Sequence, residues 1–558
     1  MINSFVVTKM RENFGFVPTA EQSEAMEMIG HFLLSRHGME LFLLRGYAGT
    51  GKTTLVGALV KTLSELGQPV VLMAPTGRAA KVFSSYAGQP AYTIHKRIYR
   101  QKSITDTDTF SLNVNLSKHT LFIVDEASMI SNEGLSSSTF GTGRLLDDLI
   151  QYVYSGEGCR LMLLGDTAQL PPVGEEESPA LMSSLLKSYG LQVYEKTLTQ
   201  VMRQLSESGI LYNATAIRCR LMAMQCGVED NSQLTSLKLL CSAEPASSLC
   251  SRSNATFSIF NSQFPDVAHV SGADLVDSLE SSYSRWGADD CMIICRSNKR
   301  ANIYNQGIRS RILDRDDELC SGDRIMVVKN NYYWVEQEVR KLIAERGKEQ
   351  PSTLNPQPST LTPQLSTLKI CVSERNANSF AISQRAQPKL NNEVVNPQLP
   401  LSFIANGDIA VVRRVRRTRE MYGFRFADVL LRFPDYDDYE METTILLDTL
   451  QSESPSLTRD ESERLFQAVM EDYAHLTTKK ERYQQLRLDP HFNALQIKYA
   501  YAVTCHKAQG GQWGCIYLDQ GYLPPDTSPI DYYRWLYTAF TRATEQVYLV
   551  NWPKESSI

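Results

Sequence analysis

The chain has 558 residues, a formal net charge of −5 and 42% hydrophobic residues, enough for three or four domains with substantial cores. That excludes a small disulfide-stapled scaffold, and the overall charge does not mark a polyanion binder, so local clusters must carry any such claim. The start MINSFVVTKMRENFGF lacks the basic and apolar regions of a secretion signal, no window reaches the roughly 18 apolar residues of a membrane span, and the eleven cysteines include no C-x-x-C pair; a soluble, cytoplasmic protein with reduced thiols is expected.

In chain order, Pro18-Thr19-Ala20-Glu21-Gln22 precedes a helical pattern with apolar residues at Ala25, Met28, Ile29, Phe32 and Leu33. On composition alone Gln22 is a surface residue. Residues 41–55, LFLLRGYAGTGKTTL, then give an apolar run, a glycine-punctuated loop and helix formers. Within them Gly46-x-x-x-x-Gly51-Lys52-Thr53 fits a phosphate-binding loop, with Ala48, Gly49, Thr50 and Thr54 completing the cradle of main-chain N–H groups. Lys52 would hold the β and γ phosphates, and Thr53 would offer its hydroxyl to Mg²⁺.

Further apolar runs at 70–74, 121–124 and 161–164 end in PTGRAA, Asp125-Glu126-Ala127-Ser128 and GDTAQLPPVG. Four short continuous runs alternating with helical segments predict a parallel sheet covered on both faces, with ligands at its carboxyl end. Two adjacent carboxylates after a buried strand face costly desolvation unless a cation joins them. Asp125 would support Mg²⁺ and Glu126 would deprotonate the attacking water, unless the pair only caps the next helix. Gln169 offers an uncharged amide that can bond a γ-phosphate, though its segment alone could be a proline-rich turn.

Between two of these strands, residues 100–118 form a polar excursion whose one aromatic is Phe110; a small β-hairpin or a disordered loop fits equally. Thr93, His95, Lys96, Arg97, Arg100 and Lys102 before and within it make a basic cluster that could meet phosphates or simply be solvated. A second sheet is expected from 291–295, 500–503, 515–518 and 546–550, interrupted by an insert. Runs at 408–412, 424–433 and 443–447 suggest a small barrel, and Thr458-x-x-Glu461 a capped helix carrying Leu465, Val469 and Tyr473 on one face. Arg413, Arg414, Arg416, Arg417 and Arg419 crowd one strand, as DNA contact or as a solvated edge. From Gln350 the chain reads QPSTLNP, QPSTLTP, QLSTLKI, three heptads that cannot bury a core, inside an expected disordered insertion at 346–400.

GYAGTGKTT, APTGRAA, TIH, VDEAS, GDTAQLPPV, LTQVMR, VTCHKAQGGQW and WLYTAFTRAT stand in this order, and the chain thereby resembles superfamily 1 helicases of the RecD and Dda-like branch over roughly residues 15–550. The resemblance implies an α/β fold of two RecA-like P-loop domains with ATP and Mg²⁺ between them and single-stranded DNA across their top. It also implies an SH3-like β insert in the second domain. Its expected divisions are a first RecA-like domain at 1–185 with a pin hairpin at 100–118, a second at 186–330 and 481–558, and an insert at 331–480. By the same resemblance Gln22 looks like an adenine-reading glutamine, and Arg203 and Arg542 like the two arginines that reach the γ-phosphate. Thr76, Thr93, His95, Thr504 and His506 match motifs lining the DNA track, with Phe110 on the pin. The implied activity is an ATP-dependent DNA helicase working 5′ to 3′ on tailed duplexes, in DNA repair or recombination. An ATP-driven translocase or an ATP-switched DNA-binding subunit is the alternative. Residues 226–265 match nothing in the pattern.

Overall fold

Continuous apolar runs need a nonpolar layer against each face of the strand, and helices on both sides of a parallel sheet supply them. The computed structural model describes residues 2–35, 37–101, 110–134, 141–201, 208–225, 264–346, 399–401, 403–525 and 527–552. Strands β1 (Glu40–Gly46), β2 (Val70–Ala74), β3 (Ala91–Thr93), β6 (Leu121–Val124), β7 (Arg160–Gly165) and β8 (Gln192–Leu198) form the first sheet. Its order is β3-β2-β6-β7-β1-β8, parallel throughout. Successive residues feed opposite layers: Phe42, Leu44, Met162 and Leu164 join one core, while Leu41, Leu43, Leu161 and Leu163 join the other. Each such side chain, fully buried, contributes about 1.5 to 3 kcal/mol. Helices α1 (Ile2–Phe14), α2 (Ala20–Leu34) and α3 (Lys52–Glu65) supply residues of the first core. Helices α4 (Gly77–Ala87), α5 (Ile94–Ile98) and α6 (Leu145–Tyr154) follow in the chain.

Strands β4 (Tyr99–Gln101) and β5 (Phe110–Leu112) make a separate antiparallel pair. The excursion therefore begins and ends as a hairpin, while the residues joining its strands and the Phe110 side chain lie outside the described residues. The second sheet comprises β9 (Val267–Val270), β10 (Cys291–Cys295), β16 (Ala502–Thr504), β17 (Trp513–Asp519) and β18 (Ala543–Val550). It is parallel in the order β16-β10-β17-β18-β9.

Between its halves β11 (Arg324–Val327), β12 (Ile409–Met421), β13 (Phe424–Phe433), β14 (Tyr439–Leu446) and β15 (Leu495–Tyr499) close a barrel. Two expected boundaries move. Strand β8 belongs to the first sheet, beyond the expected limit at 185, and β11 and β15 lie outside 331–480. The barrel is joined to the second sheet without a linker: Ala500 N donates to Arg324 O at 2.9 Å and Ile293 N to Tyr501 O at 3.1 Å. Asn331 and Ile404 exchange two main-chain bonds of 2.8 Å, and Tyr332 stacks on Phe403 with centroids 4.8 Å apart.

Of the β12 arginines, Arg413 pairs with Glu440 at 3.0 Å, Arg419 with Asp428 at 2.5 Å, and Arg416 with Glu442. Thr458 and Glu461 form the expected capping box, and Leu465 and Val469 are buried on that helix. The heptads and 226–263 lie outside the described residues. No described helix is long and apolar enough to cross a membrane.

Candidate active site

The loop after β1 owes its shape to three glycines. Gly49 and Gly51 have φ of +76° and +81°, conformations in which a Cβ is strained. A Cβ on Gly46 would stand 2.8 Å from Lys52 Cγ, so any larger residue would displace the lysine. Lys52 donates to the carbonyls of Gly46 and, at 3.2 Å, Tyr47. Gly51 begins α3 without a side-chain cap, leaving the first N–H groups of that helix for an anion. Thr53 and Thr54 are exposed on its first turn.

Gln22 is buried at 1% exposure, which corrects the surface position that composition suggests. Its Oε1 accepts from Thr19 N and its Nε2 donates to Thr50 O, both at 3.0 Å. The amide thus clamps the start of α2 to the phosphate loop. Neighbouring Glu21 accepts from Thr199 N at 2.6 Å and Gln200 N at 3.0 Å, anchoring the segment that leads to Arg203. Arg203 itself lies outside the described residues, but a Cβ on Gly49 would meet Val201 Cγ1 at 3.2 Å.

Asp125 follows β6 and Glu126 takes a left-handed backbone, φ +51°, that turns its carboxylate into the space between the two sheets. Glu126 makes no helix-capping bond, so capping does not explain the pair. Asp125 Oδ1 accepts Glu126 N at 2.8 Å and Oδ2 accepts the Tyr86 hydroxyl at 2.5 Å. Burial holds the Glu126 carboxyl above the ordinary carboxylate range; Arg542 and Lys52 oppose this, while the like charges of Asp125 and Asp166 add to it.

Arg542 reaches this point from the second sheet. Its Nη1 is 4.0 Å from Glu126 Oε1, and its guanidinium is held by Thr538 O at 3.0 Å, Gly511 O at 3.3 Å and Thr541 Oγ1 at 3.1 Å. The helix Pro529–Phe540 before it is locked to the first domain. Ala48 N donates to the Tyr537 hydroxyl at 2.8 Å, which donates to Asp166 Oδ2 at 2.7 Å. Leu170 N donates to Thr538 Oγ1 at 2.8 Å, and Gln509 Nε2 to Leu170 O at 2.9 Å. Gln169 sits in that tied segment, its Oε1 buried with no hydrogen-bond partner among the described residues.

The residues expected to line a DNA track fall at strand ends or on the short helices that follow them. Thr76 and Thr93 follow neighbouring strands β2 and β3 and cap the next helices, accepting from Ala79 N at 3.2 Å and Lys96 N at 3.3 Å. Each hydroxyl hydrogen remains a donor that can meet a phosphate. Thr504 starts the short helix Cys505–Ala508 with no side-chain cap bond, and His506 is exposed on it. His95 packs 5.7 Å from the Tyr99 ring, and burial lowers its imidazole to about 4, so it stands neutral at pH 7. The two halves adjoin, since a Cβ on Gly510 would lie 3.3 Å from Thr76 Oγ1.

Tyr537, Thr538, Gln509, Glu21 and Tyr86 were not singled out from the sequence. The first two sit in YTAFTRA beside Arg542, a signal available there; Tyr86 carries none, because only the fold brings it to Asp125.

Two family models match: an AAA domain over residues 18–220 and a UvrD-like helicase C-terminal domain over 499–550. Among curated proteins, the chain is 34% identical over 137 residues to the ATP-dependent RecD2 DNA helicase of Deinococcus radiodurans, covering 24% of this chain and 17% of that one. It is 29% identical over 188 residues to the ATP-dependent DNA helicase dda of Enterobacteria phage T4, covering 31% and 37%. An uncharacterized protein of Acanthamoeba polyphaga mimivirus is 30% identical over 210 residues, covering 33% and 38%. The chain thus spans well under half the length of these relatives. Among solved structures, a Pif1 helicase from Bacteroides in complex with ADP-AlF3 and ssDNA aligns over 96% of this chain and 93% of its own, with a TM-score of 0.40 and 13% identity. The matched segments carry the ordered motifs named above, and the chain is similar there to a UvrD-like helicase C-terminal domain and to the RecD2 and Dda helicases.

Proposed function

We propose that the chain is a cytoplasmic ATP-dependent DNA helicase that hydrolyses Mg-ATP between its two parallel-sheet domains and moves 5′ to 3′ along single-stranded DNA. The observation that carries this reading is Arg542 of the second sheet standing 4.0 Å from Glu126 of the first, beside the lysine of a phosphate loop. A hydrolytic site assembled from two bodies makes their approach depend on the nucleotide between them.

In this reading Lys52 and the N–H groups at the start of α3 hold the phosphates, and Gln22 shapes the loop and reads adenine. Glu126 takes the proton of a water attacking the γ-phosphorus as the bond to the ADP oxygen breaks, and its raised proton affinity suits a base. Gln169 bonds the γ-phosphate, while Arg203 and Arg542 balance the charge spreading onto it, an effect of about 10³ to 10⁵ in rate. A magnesium ion on Thr53 and Asp125 would neutralise charge on the β and γ oxygens. The donor set fits it: Mg²⁺ is usually held by one or two carboxylates plus substrate phosphates, and no described cluster of three or more His, Cys, Asp or Glu offers a fuller cage.

Thr76, Thr93 and His95 form one grip on DNA and Thr504 and His506 the other. Alternate tightening of the grips as the cleft closes and opens gives directional steps, and Phe110 on the hairpin parts the strands. The polarity rests on the RecD and Dda resemblance. Duplexes with a tail on only the 5′ or only the 3′ side, offered with Mg-ATP, test it together with ATPase measured with and without single-stranded DNA. Unwinding should require the 5′ tail. Efficient unwinding from the 3′ tail alone would overturn the polarity, and DNA-stimulated ATPase without strand separation would favour a translocase.

A further inference from the structure

Asp125 is gripped by a residue that the hydrolytic reading leaves unused. Tyr86, in the last turn of α4, donates its hydroxyl to Asp125 Oδ2 at 2.5 Å, and with Thr53 and Thr54 it lines one cavity beside the phosphate loop. Its ring is fixed by stacking on Phe83, centroids 5.1 Å apart and planes at 28°, and Phe83 is fully buried. The Tyr86 carbonyl lies so near α3 that a Cβ on Gly57 would stand 3.2 Å from it. This end of α4 is therefore seated on both the P-loop helix and the metal-side carboxylate.

Neighbours from the rest of the molecule gather at the other end of the same helix. Its cap Thr76 adjoins Gly510 of the second domain. Arg78 donates to Gln512 O at 3.2 Å and lies over the Trp513 ring at 4.1 Å. From the barrel, Asp408 and Tyr436 approach so closely that a Cβ on Gly77 would meet them at 2.7 Å and 3.2 Å, and Asp435 faces Lys81 at 3.6 Å. The helix has 11 residues, about 16 Å of stiff hydrogen-bonded rod at about 1.5 Å per residue.

We propose that α4 is a strut that carries the position of DNA and of the second domain to the hydrolytic centre, and that Tyr86, through its hydroxyl on Asp125, is the positioning residue at its far end. This rests on the helicase reading above. A shift at Thr76 or Arg78 moves the rod as a unit, and the Tyr86 hydroxyl draws Asp125 Oδ2 with it while Oδ1 stays tied to Glu126 N. Reciprocally, a nucleotide that fixes Asp125 fixes the end of the strut that meets DNA.

The test measures equilibrium coupling. Binding of a fluorescent non-hydrolysable ATP analogue with Mg²⁺ is titrated with and without saturating oligo-dT, and the ratio of the two dissociation constants is the coupling factor, about 5- to 150-fold for typical allosteric pairs. Tyr86→Phe keeps the ring and its stacking on Phe83 and removes only the hydroxyl. It should bring the ratio at least halfway to one on a logarithmic scale, with an unchanged melting midpoint and oligo-dT affinity without nucleotide within twofold. In an Asp125→Asn background the same substitution should have a much smaller effect, because the two residues act as one unit. A coupled wild type whose ratio is unchanged by Tyr86→Phe, or a loss equally large in the Asp125→Asn background, would overturn the proposal while leaving the helicase reading intact. A wild-type protein whose nucleotide affinity and ATPase both ignore DNA would overturn both.

Discussion

Replacing Arg542 by alanine tests the inter-domain reading where the geometry is sharpest. At 4.0 Å from Glu126, a full charge pair in an effective dielectric of about 20 is worth about 4 kcal/mol. The Glu126 side chain is 22% exposed, so the realised attraction is smaller, on the order of 1 to 3 kcal/mol. If the same guanidinium meets the γ-phosphate in the transition state, its loss lowers kcat by about 10³ to 10⁵, or about 4 to 7 kcal/mol. KM for ATP should change little, whereas Lys52→Ala should damage both constants. A second signature comes from charge. Arg542 pulls the Glu126 carboxyl down against burial, so its removal raises that carboxyl further and moves the acid limb of the kcat/KM profile to higher pH. Steady-state ATPase in saturating single-stranded DNA across the pH range reads both effects. Arg542→Lys serves as the control, since it keeps the charge but loses the fork held by Thr538 O and Gly511 O. A near-normal kcat, or an acid limb that stays in place, would refute the reasoning.

Three further outcomes follow from the same features. Glu126→Gln should abolish turnover yet raise thermal stability at neutral pH by on the order of 1 kcal/mol: a folded-state pKa raised by burial means stability is lost as pH rises through it, and the amide never ionises. A lower melting midpoint would contradict this. Deleting residues 350–370 should change stability by less than about 1 kcal/mol, because loop closure depends weakly on length, and should spare DNA-stimulated ATPase; a several-fold loss would give the heptads a role. Phe110→Ala should reduce unwinding of a tailed duplex while sparing that ATPase, as expected if the ring stacks on the last base pair for about 1 to 3 kcal/mol; equal loss of both would remove the pin assignment.

The central strands were legible because each buries both faces: β1, β6, β7 and β10 are buried at nearly every residue and carry runs of four or five apolar side chains. Among the strands that went unread, β11 and β15 belong to the closed barrel, while the others in the two parallel sheets are at sheet edges. Strand β8, QVYEKTL, is half-exposed over most of its length, and β3 and β9 have only three and four residues, so their composition reports their solvent side rather than their pairing. That is why the expected end of the first domain fell short of β8. The motifs nominated residues for a nucleotide, but not what holds those residues. Gln22 looks polar and exposed until Thr50 O and Thr19 N are seen to consume its amide; Tyr86 carries no local signal for its partner 39 residues away, and the motif around Tyr537 marks that residue without naming Asp166, 371 residues away.

The pairing of Asn331 with Ile404, with Tyr332 stacked on Phe403, has a use in how such a chain varies. The two main-chain bonds bring residues 331 and 404 together, while Val335 and Leu401 just inside them are buried with residues of the barrel strands, so a change of length that spares this core belongs further in, between residues 347 and 398. For a flexible connection each doubling of that length costs only about 0.6 kcal/mol. The position therefore acts as a port, where sequence can be gained or lost without renegotiating the core. A fluorescent protein or affinity tag spliced there would ride on the barrel and, through Ala500 and Arg324, on the second domain, giving a reporter of domain motion that leaves the cleft untouched.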